Sequence, residues 1–365
     1  MKKATALLKS PLSVISISVI VLFLISVPVY FIARTSVSFA DFLNVSISHV
    51  MRAHLGAVSR IFPFSLFELL VIFSVPLVVL AVFVGIRFYM EVWGRVRFIL
   101  AIVALIALFA TSYIYTLGIG YHTTAMSTNL GLDNITDIEK DELTATYLTV
   151  LYEVNRNAEL IGSDGTESHM AYSLSELSDK LSESYRSLDS EYDFLKVHGV
   201  RVKPVLLSSV MSDAGILGIY SFFTGEPNLN IEYPDYVLPF TAAHELAHSF
   251  GIARENEANF MAFLACINSQ DPYIRYSGYL NMYEYLAAAL NSVDGELYLE
   301  LKSELSDTAR EDLLASREVS IRHKDSPIRK INDKLNDFYL KSNGTEGVVT
   351  YSYVVRLAVS YYRSN

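Results

Sequence analysis

His244, Glu245 and His248 are the residues whose types and spacing could do chemistry in this chain. Two histidines four apart stand one above the other on a helical face, so both imidazoles can reach one metal ion. The glutamate between them is placed to take a proton from a metal-bound water. With eight histidines in 365 residues, chance produces such an HExxH in roughly one chain in a hundred. A hydrolytic zinc takes three protein ligands and keeps a fourth position open for water. The expected chemistry is therefore metal-assisted hydrolysis with one Zn2+ per chain. A water acidified on the zinc loses its proton to Glu245 and attacks a polarised carbonyl, and Glu245 returns the proton to the leaving amine. Two histidines and one carboxylate also suit iron and other transition metals, but the glutamate inside the helical pair favours zinc.

The third ligand has two candidates, Glu255 and Glu257, on what reads as the next helix after a break at Gly251. Glu255 is followed by Ala258 and Asn259, which puts Asn259 on its face as a partner that could hydrogen-bond a ligand. Ala258 would let the two helices approach closely. Glu257 has no such pattern, so Glu255 is preferred and Glu257 stays as the alternative. Gly251 suits a left-handed C-cap that turns the chain back within a few residues. Arg254 stands where some zinc proteases with a glycine turn place a third histidine, and arginine excludes that arrangement. Tyr279, Tyr283, Arg275 and Tyr351 are candidate oxyanion donors, none favoured among 24 tyrosines. His49, His54, His122, His169, His198 and His323 are isolated and lack ligand spacing, which fits surface or satisfied core positions.

The elements that must position these groups are mostly helical. Thr136 with Glu139 reads as a capping box opening a helix to about Leu160, and Ser173 with Glu176 as another to about Leu195. Gly162 to Gly165 is the loop between them. Strand character follows at Val202–Leu207, Ile216–Phe223 and Leu229–Ile231, with a turn at Thr224-Gly225-Glu226-Pro227. The segment 217–223 could be an edge that pairs with an extended peptide, although an ordinary core strand is the plainer reading. Helical pattern resumes at Phe240. Asp271-Pro272 and Ser326-Pro327 each start a further helix, the latter ending near Asn343-Gly344. The fold class expected is mostly α (α+β), with a small β element before the HExxH helix. The lone cysteine, Cys266, sits in an apolar run and excludes an intrachain disulfide framework.

Ahead of this region lie three apolar runs, about 12–33, 66–86 and 98–119, each near the ~20 residues needed to span a bilayer as a helix. Residues 1–119 thus read as a membrane anchor and 120–365 as an extracytoplasmic domain. Lys2, Lys3 and Lys9 before the first run, with Arg87, Arg95 and Arg97 between the second and third, belong on the cytoplasmic side by the positive-inside rule. The first run also resembles a signal peptide with a site at Ser38-Phe39-Ala40, but its length favours retention. Nine Lys/Arg against three Asp/Glu give the anchor +6, so residues 120–365 carry −16 of a chain total of −10. That acidity argues against nucleic acid as a partner. Intramembrane proteolysis is disfavoured, because Val237 to Ala253 contains Pro239 and polar groups and lacks a long apolar run.

The combination of HExxH with Glu255-x-x-Ala258-Asn259 resembles the glutamate-ligand zinc peptidases, including membrane-bound prenyl-protein and heat-shock peptidases and antirepressor sensor proteases. That resemblance implies His244, His248 and Glu255 on zinc with Glu245 as base, in a zincin-like domain. Many such relatives carry aspartate where this chain has Asn259. Over nearly its whole length the chain is similar to an uncharacterised bacterial membrane family classed as a domain of unknown function. That likeness rests on three spans, Gly120-Tyr121-His122, Phe223 to Pro227, the block from His244 to Phe260 and Tyr276 to Tyr279. The function expected is a membrane-anchored zinc peptidase acting on peptide or protein at the outer membrane face. The alternative is a non-catalytic or signal-gated zinc-binding sensor of extracellular ligands, against which an intact Glu245 speaks. An amidase on cell-wall peptide would look the same at the metal.

Overall fold

Ser10 accepts a hydrogen bond from the Ser13 N–H and Pro11 occupies the first helical position, so a helix starts there and runs Pro11–Thr35. In this computed structural model, which describes residues 10–89, 92–132, 138–163, 165–342 and 351–364, it is the first of three helices long and apolar enough to cross a membrane. The others are Leu66–Ile86 and Gly94–Thr116. Pro28 and Pro76 lie inside the first two without ending them. None of the apolar stretch of the second is buried by protein, a surface that hydrocarbon satisfies and water does not. The third helix stops at Thr116, short of Ile119, because Gly118–His122 tightens into a 3-10 turn. A side chain at Gly120 would stand 2.8 Å from the Gly251 carbonyl oxygen, so this turn packs directly on the break after the HExxH helix.

Between the first and second of these helices the chain folds back as Val37–Leu43, a π turn at Asn44–Ser48, and His49–Arg60. This hairpin packs on the C-terminal region. Asn44 Nδ2 donates to the Gly251 carbonyl at 3.1 Å, and the buried Arg52 guanidinium donates to Asn44 Oδ1 at 3.0 Å and to its carbonyl at 2.8 Å. Lys203, also buried, donates from Nζ to the carbonyls of Ser59 and Phe62. Two carboxylates then lock the entry of the second apolar helix. Glu226 accepts from the N–H groups of Leu66 and Phe67, and Glu68 accepts from those of Leu206 and Leu207. The hairpin and the C-terminal region therefore lie at the same ends of the three apolar helices.

The sheet has the order β1-β3-β2, from β1 (Lys203–Val205), β2 (Gly218–Ser221) and β3 (Glu226–Asn230). β3 runs parallel to β1 and antiparallel to β2, with Gly218 opposite Leu229 and Ser221 opposite Glu226. Glu226 and Pro227, read from the sequence as turn, open β3, and Gly225 at φ +70 makes the turn. Around the sheet pack the helices Lys140–Leu160, Leu174–Glu191, Val237–Ser249, Glu255–Ile267 and Pro272–Val293, which share one apolar core. The Ser173/Glu176 capping box forms as read. The preceding helix is capped by Glu139 with Glu142, one turn later than the Thr136/Glu139 reading, and Thr136 lies outside the described residues. Asp271 caps Pro272–Val293, accepting from the N–H groups of Tyr273 and Ile274. Pro327–Ser342 forms as read, and Asn343-Gly344 lie outside the described residues. Cys266 is buried, and a Cβ at Gly278 would collide with it, so Gly278 is what lets these helices close together.

Candidate metal centre

The HExxH helix, Val237–Ser249, has 13 residues, of which all but His244 are buried, far too short and enclosed to cross a membrane. Its end is a Schellman motif. The Ile252 N–H reaches the Ala247 carbonyl and the Gly251 N–H the His248 carbonyl, both at 3.1 Å, with Gly251 at φ +103. This turn has a second consequence. It brings the Ile252 carbonyl 2.8 Å from His248 Nδ1, which can donate to it and so leaves Nε2 as the ring's lone-pair nitrogen. Arg254 caps the next helix in extended conformation, and Glu255 opens it facing back at the histidines. Ala258, fully buried, lies where the two helices meet.

Three donor atoms converge there. His244 Nε2 and His248 Nε2 are 3.1 Å apart, His244 Nε2 and Glu255 Oε2 3.2 Å, and His248 Nε2 and Glu255 Oε1 3.6 Å. Tetrahedral ligands at zinc-like bond lengths are separated by ~3.4 Å. Donor types and spacing both fit one small divalent ion. Their electrostatics fit as well. Burial pushes His248 down, but the Glu255 and Glu245 carboxylates more than reverse it and lift the ring to about 9. Burial pushes Glu255 up, and the two imidazoles hold it well below the usual carboxylate range. The cluster thus favours a positive charge at its centre, which a proton or a metal ion can supply. Of the two candidate acids, Glu257 points away. Its Oε1 accepts from the Met126 N–H at 2.9 Å and from Arg254 Nη1 at 2.8 Å, tying the ligand helix to the segment after the third apolar helix. Arg254 completes that tie by donating to the carbonyls of Tyr121 and Thr123.

Glu245 is buried beside the triad, and burial raises its carboxyl above the ordinary value against the pull of both histidines. The Tyr220 backbone of β2 lies against it and works the other way, lowering it. A Cβ at Gly218 would stand 2.6 Å from Glu245 Oε1 and 2.8 Å from Thr241 Cγ2, so only glycine lets β2 pass this carboxylate. Both residues were missed from the sequence, although a glycine inside a strand pattern is itself a sign of close backbone approach. Triad and base open into a cleft of about 510 Å3. The edge strand β2 forms one wall, and Tyr113 and Leu117, at the end of the third apolar helix, form another. Asn256, Asn259, Asn281, Tyr285, Asn332 and Asn336 complete the lining. Asn259 therefore shares the cavity with Glu255 but makes no hydrogen bond to it. Arg275, Tyr279 and Tyr283 do not line the cleft. They share the opposite face of their helix, where Arg275 binds Asn157, Tyr283 binds Tyr147 and Tyr279 packs on Phe263. The side chain of Tyr351 lies outside the described ones. No other histidine joins the triad: His49 and His198 stack at 5.6 Å, and His323 lies between Asp213 and Glu232.

A family model for a protein of unknown function (DUF3810) matches residues 39–359, which takes in the hairpin, two of the apolar helices, the sheet and the triad. The chain belongs to the DUF3810 family. The match begins after the first apolar helix, inside Val37–Leu43, so it takes in nearly all of the hairpin that packs on the Gly251 turn. No curated protein and no solved structure matches the chain.

Proposed function

We propose that this protein is a membrane-anchored zinc peptidase, and the observation that carries the reading is the triangle of His244, His248 and Glu255 beside the buried Glu245. Zinc held by these three residues would acidify a water and polarise a carbonyl. Glu245, raised by burial, is placed to take the proton on a carboxylate oxygen and hand it to the leaving nitrogen. The outer edge of β2 would hold an extended peptide beside the base, with main-chain hydrogen bonds that are indifferent to sequence. Amide side chains such as Asn256 and Asn281 offer further donors and acceptors to a peptide backbone. The basic residues before the first apolar helix and between the second and third support an extracytoplasmic position for the cleft.

The test uses the full chain in lipid nanodiscs, with metal content and peptide-library cleavage measured for wild type, Glu245→Gln and His248→Ala. One zinc per wild-type chain, with cleavage lost and zinc kept in Glu245→Gln, is the expected outcome. Zinc bound without cleavage of any library would turn the reading to a gated or sensing role. Wild type that binds no metal under conditions that do not strip it would end the metal assignment itself.

A further inference from the structure

The surface beside the cleft carries apolar side chains that none of the described residues covers. Leu206 is 81% exposed and Leu207 44%, and both donate their N–H groups to Glu68, in the first turn of the second apolar helix. These leucines therefore sit where that helix enters the bilayer. Val210, also exposed, follows on the helix Ser208–Asp213. Asn332 Nδ2 then donates at 3.0 Å to the carbonyl of Ala214, the C-cap of that helix, and ties Pro327–Ser342 to it.

Pro327–Ser342 presents Ile328, Ile331 and Leu335 at spacings of three and four, one helical stripe, with Ile331 61% and Leu335 62% exposed. Lys334 stands at one edge of the stripe with Lys341 and Lys330 further round on the same side, Lys341 paired with Asp337 at 2.6 Å, and Asp333 lies on the far side. The helix carries four basic and two acidic residues within a region that sums to −16. An exposed apolar stripe edged by lysines, continuous with the entry of a spanning helix, matches a helix lying in the headgroup layer.

We infer that Leu206, Leu207, Val210 and the Ile328/Ile331/Leu335 stripe form a docking surface for the phospholipid bilayer that holds the apolar helices, with Pro327–Ser342 lying in its headgroup layer. The cleft, walled on one side by Asn332 and Asn336 of this helix and on another by Tyr113 and Leu117, then opens along the membrane surface. This inference stands on exposure, charge and connectivity and does not depend on the peptidase reading.

Nitroxide labels on cysteines introduced at 331, 335 and 333 of the full chain test it, since Cys266 is buried and will not react, and all three positions are exposed. In nanodiscs containing phosphatidylglycerol, relaxation by oxygen relative to a water-soluble nickel complex is expected to be several-fold greater at 331 and 335 than at 333. Equal ratios at the three positions would overturn the proposal, placing the stripe in water. Shielding of 331 and 335 from both relaxants would also overturn it, by showing that protein covers the stripe.

Discussion

Gly218 and Glu245 touch across the gap between β2 and the HExxH helix, and the contact leaves no room for one methyl group. Gly218→Ala must push the carboxylate off the position from which it reaches a water at the triad. The expected outcome is an unchanged zinc content with cleavage lowered by about tenfold or more, since small misplacements of a catalytic group are costly. Ile219→Ala, one residue on, should leave the rate near wild type in the same assay. Gly251 is constrained differently, by φ +103 and by contact of any Cβ with the Arg52 guanidinium. Gly251→Ala should destabilise the fold by ~1–3 kcal/mol, read as a lower midpoint in thermal unfolding. At this scale the placing of His244, Glu245 and His248 together was legible because a spacing of four is a local property of one helix. The choice between Glu255 and Glu257 was not. Two residues apart on a helix lie about 200° apart in direction, and only the contacts of Glu257 with the distant Met126 and the nearby Arg254 reveal which of the two turns away.

Helix caps carry the next level of organisation, and several of them come from far along the chain. Glu226, fully buried, holds two N–H groups at the start of the second apolar helix from a position 160 residues away. Glu226→Ala should cost ~1–3 kcal/mol by leaving those donors unmet, and Glu226→Gln, which keeps one acceptor, should cost less; chemical unfolding in nanodiscs separates them. His323, the C-cap of the helix Asp307–Arg322, does similar work between Asp213 at 2.9 Å and Glu232 at 3.1 Å. The Asp213 hydrogen bond, assisted by Glu232, raises the imidazole above its ordinary value. A raised histidine contributes stability that is whole below about pH 6.5 and fades as pH climbs through the raised value. His323→Gln should therefore lower the melting temperature more at pH 6 than at pH 9; an equal deficit at both would mean the charge plays no part. Elements with local start signals, such as Ser173/Glu176 and Asp271-Pro272, were legible in the sequence. The face each helix turns inward was not, which is why Arg275, Tyr279 and Tyr283 turn away from the cleft while Asn281 and Tyr285, on the opposite face, line it.

Taken as one molecule, the segment before residue 119 and the region after it are built into each other. The hairpin 37–60 covers the turn that orients His248: Asn44 holds the Gly251 carbonyl, Arg52 is buried against the same turn, and Lys203 is buried where its Nζ donates to the carbonyls of Ser59 and Phe62. Composition divides the chain near residue 119, but these contacts run across that division, and no pattern in either half announces them because each depends on a partner 140 residues or more away. Removal of residues 1–116 would expose the core under the Gly251 turn and strand the Lys203 ammonium and the Glu226 carboxylate without their partners. Residues 117–365 expressed alone should therefore be aggregated or readily digested by trypsin. A fragment that adds the hairpin through a flexible linker in place of the apolar helices should regain protease resistance and, with it, whatever metal the full chain binds. The comparison separates two effects of the membrane segment. Recovery by the hairpin alone assigns its stabilising role to the 37–60 contacts, whereas recovery only when all three apolar helices are present would assign it to the bilayer.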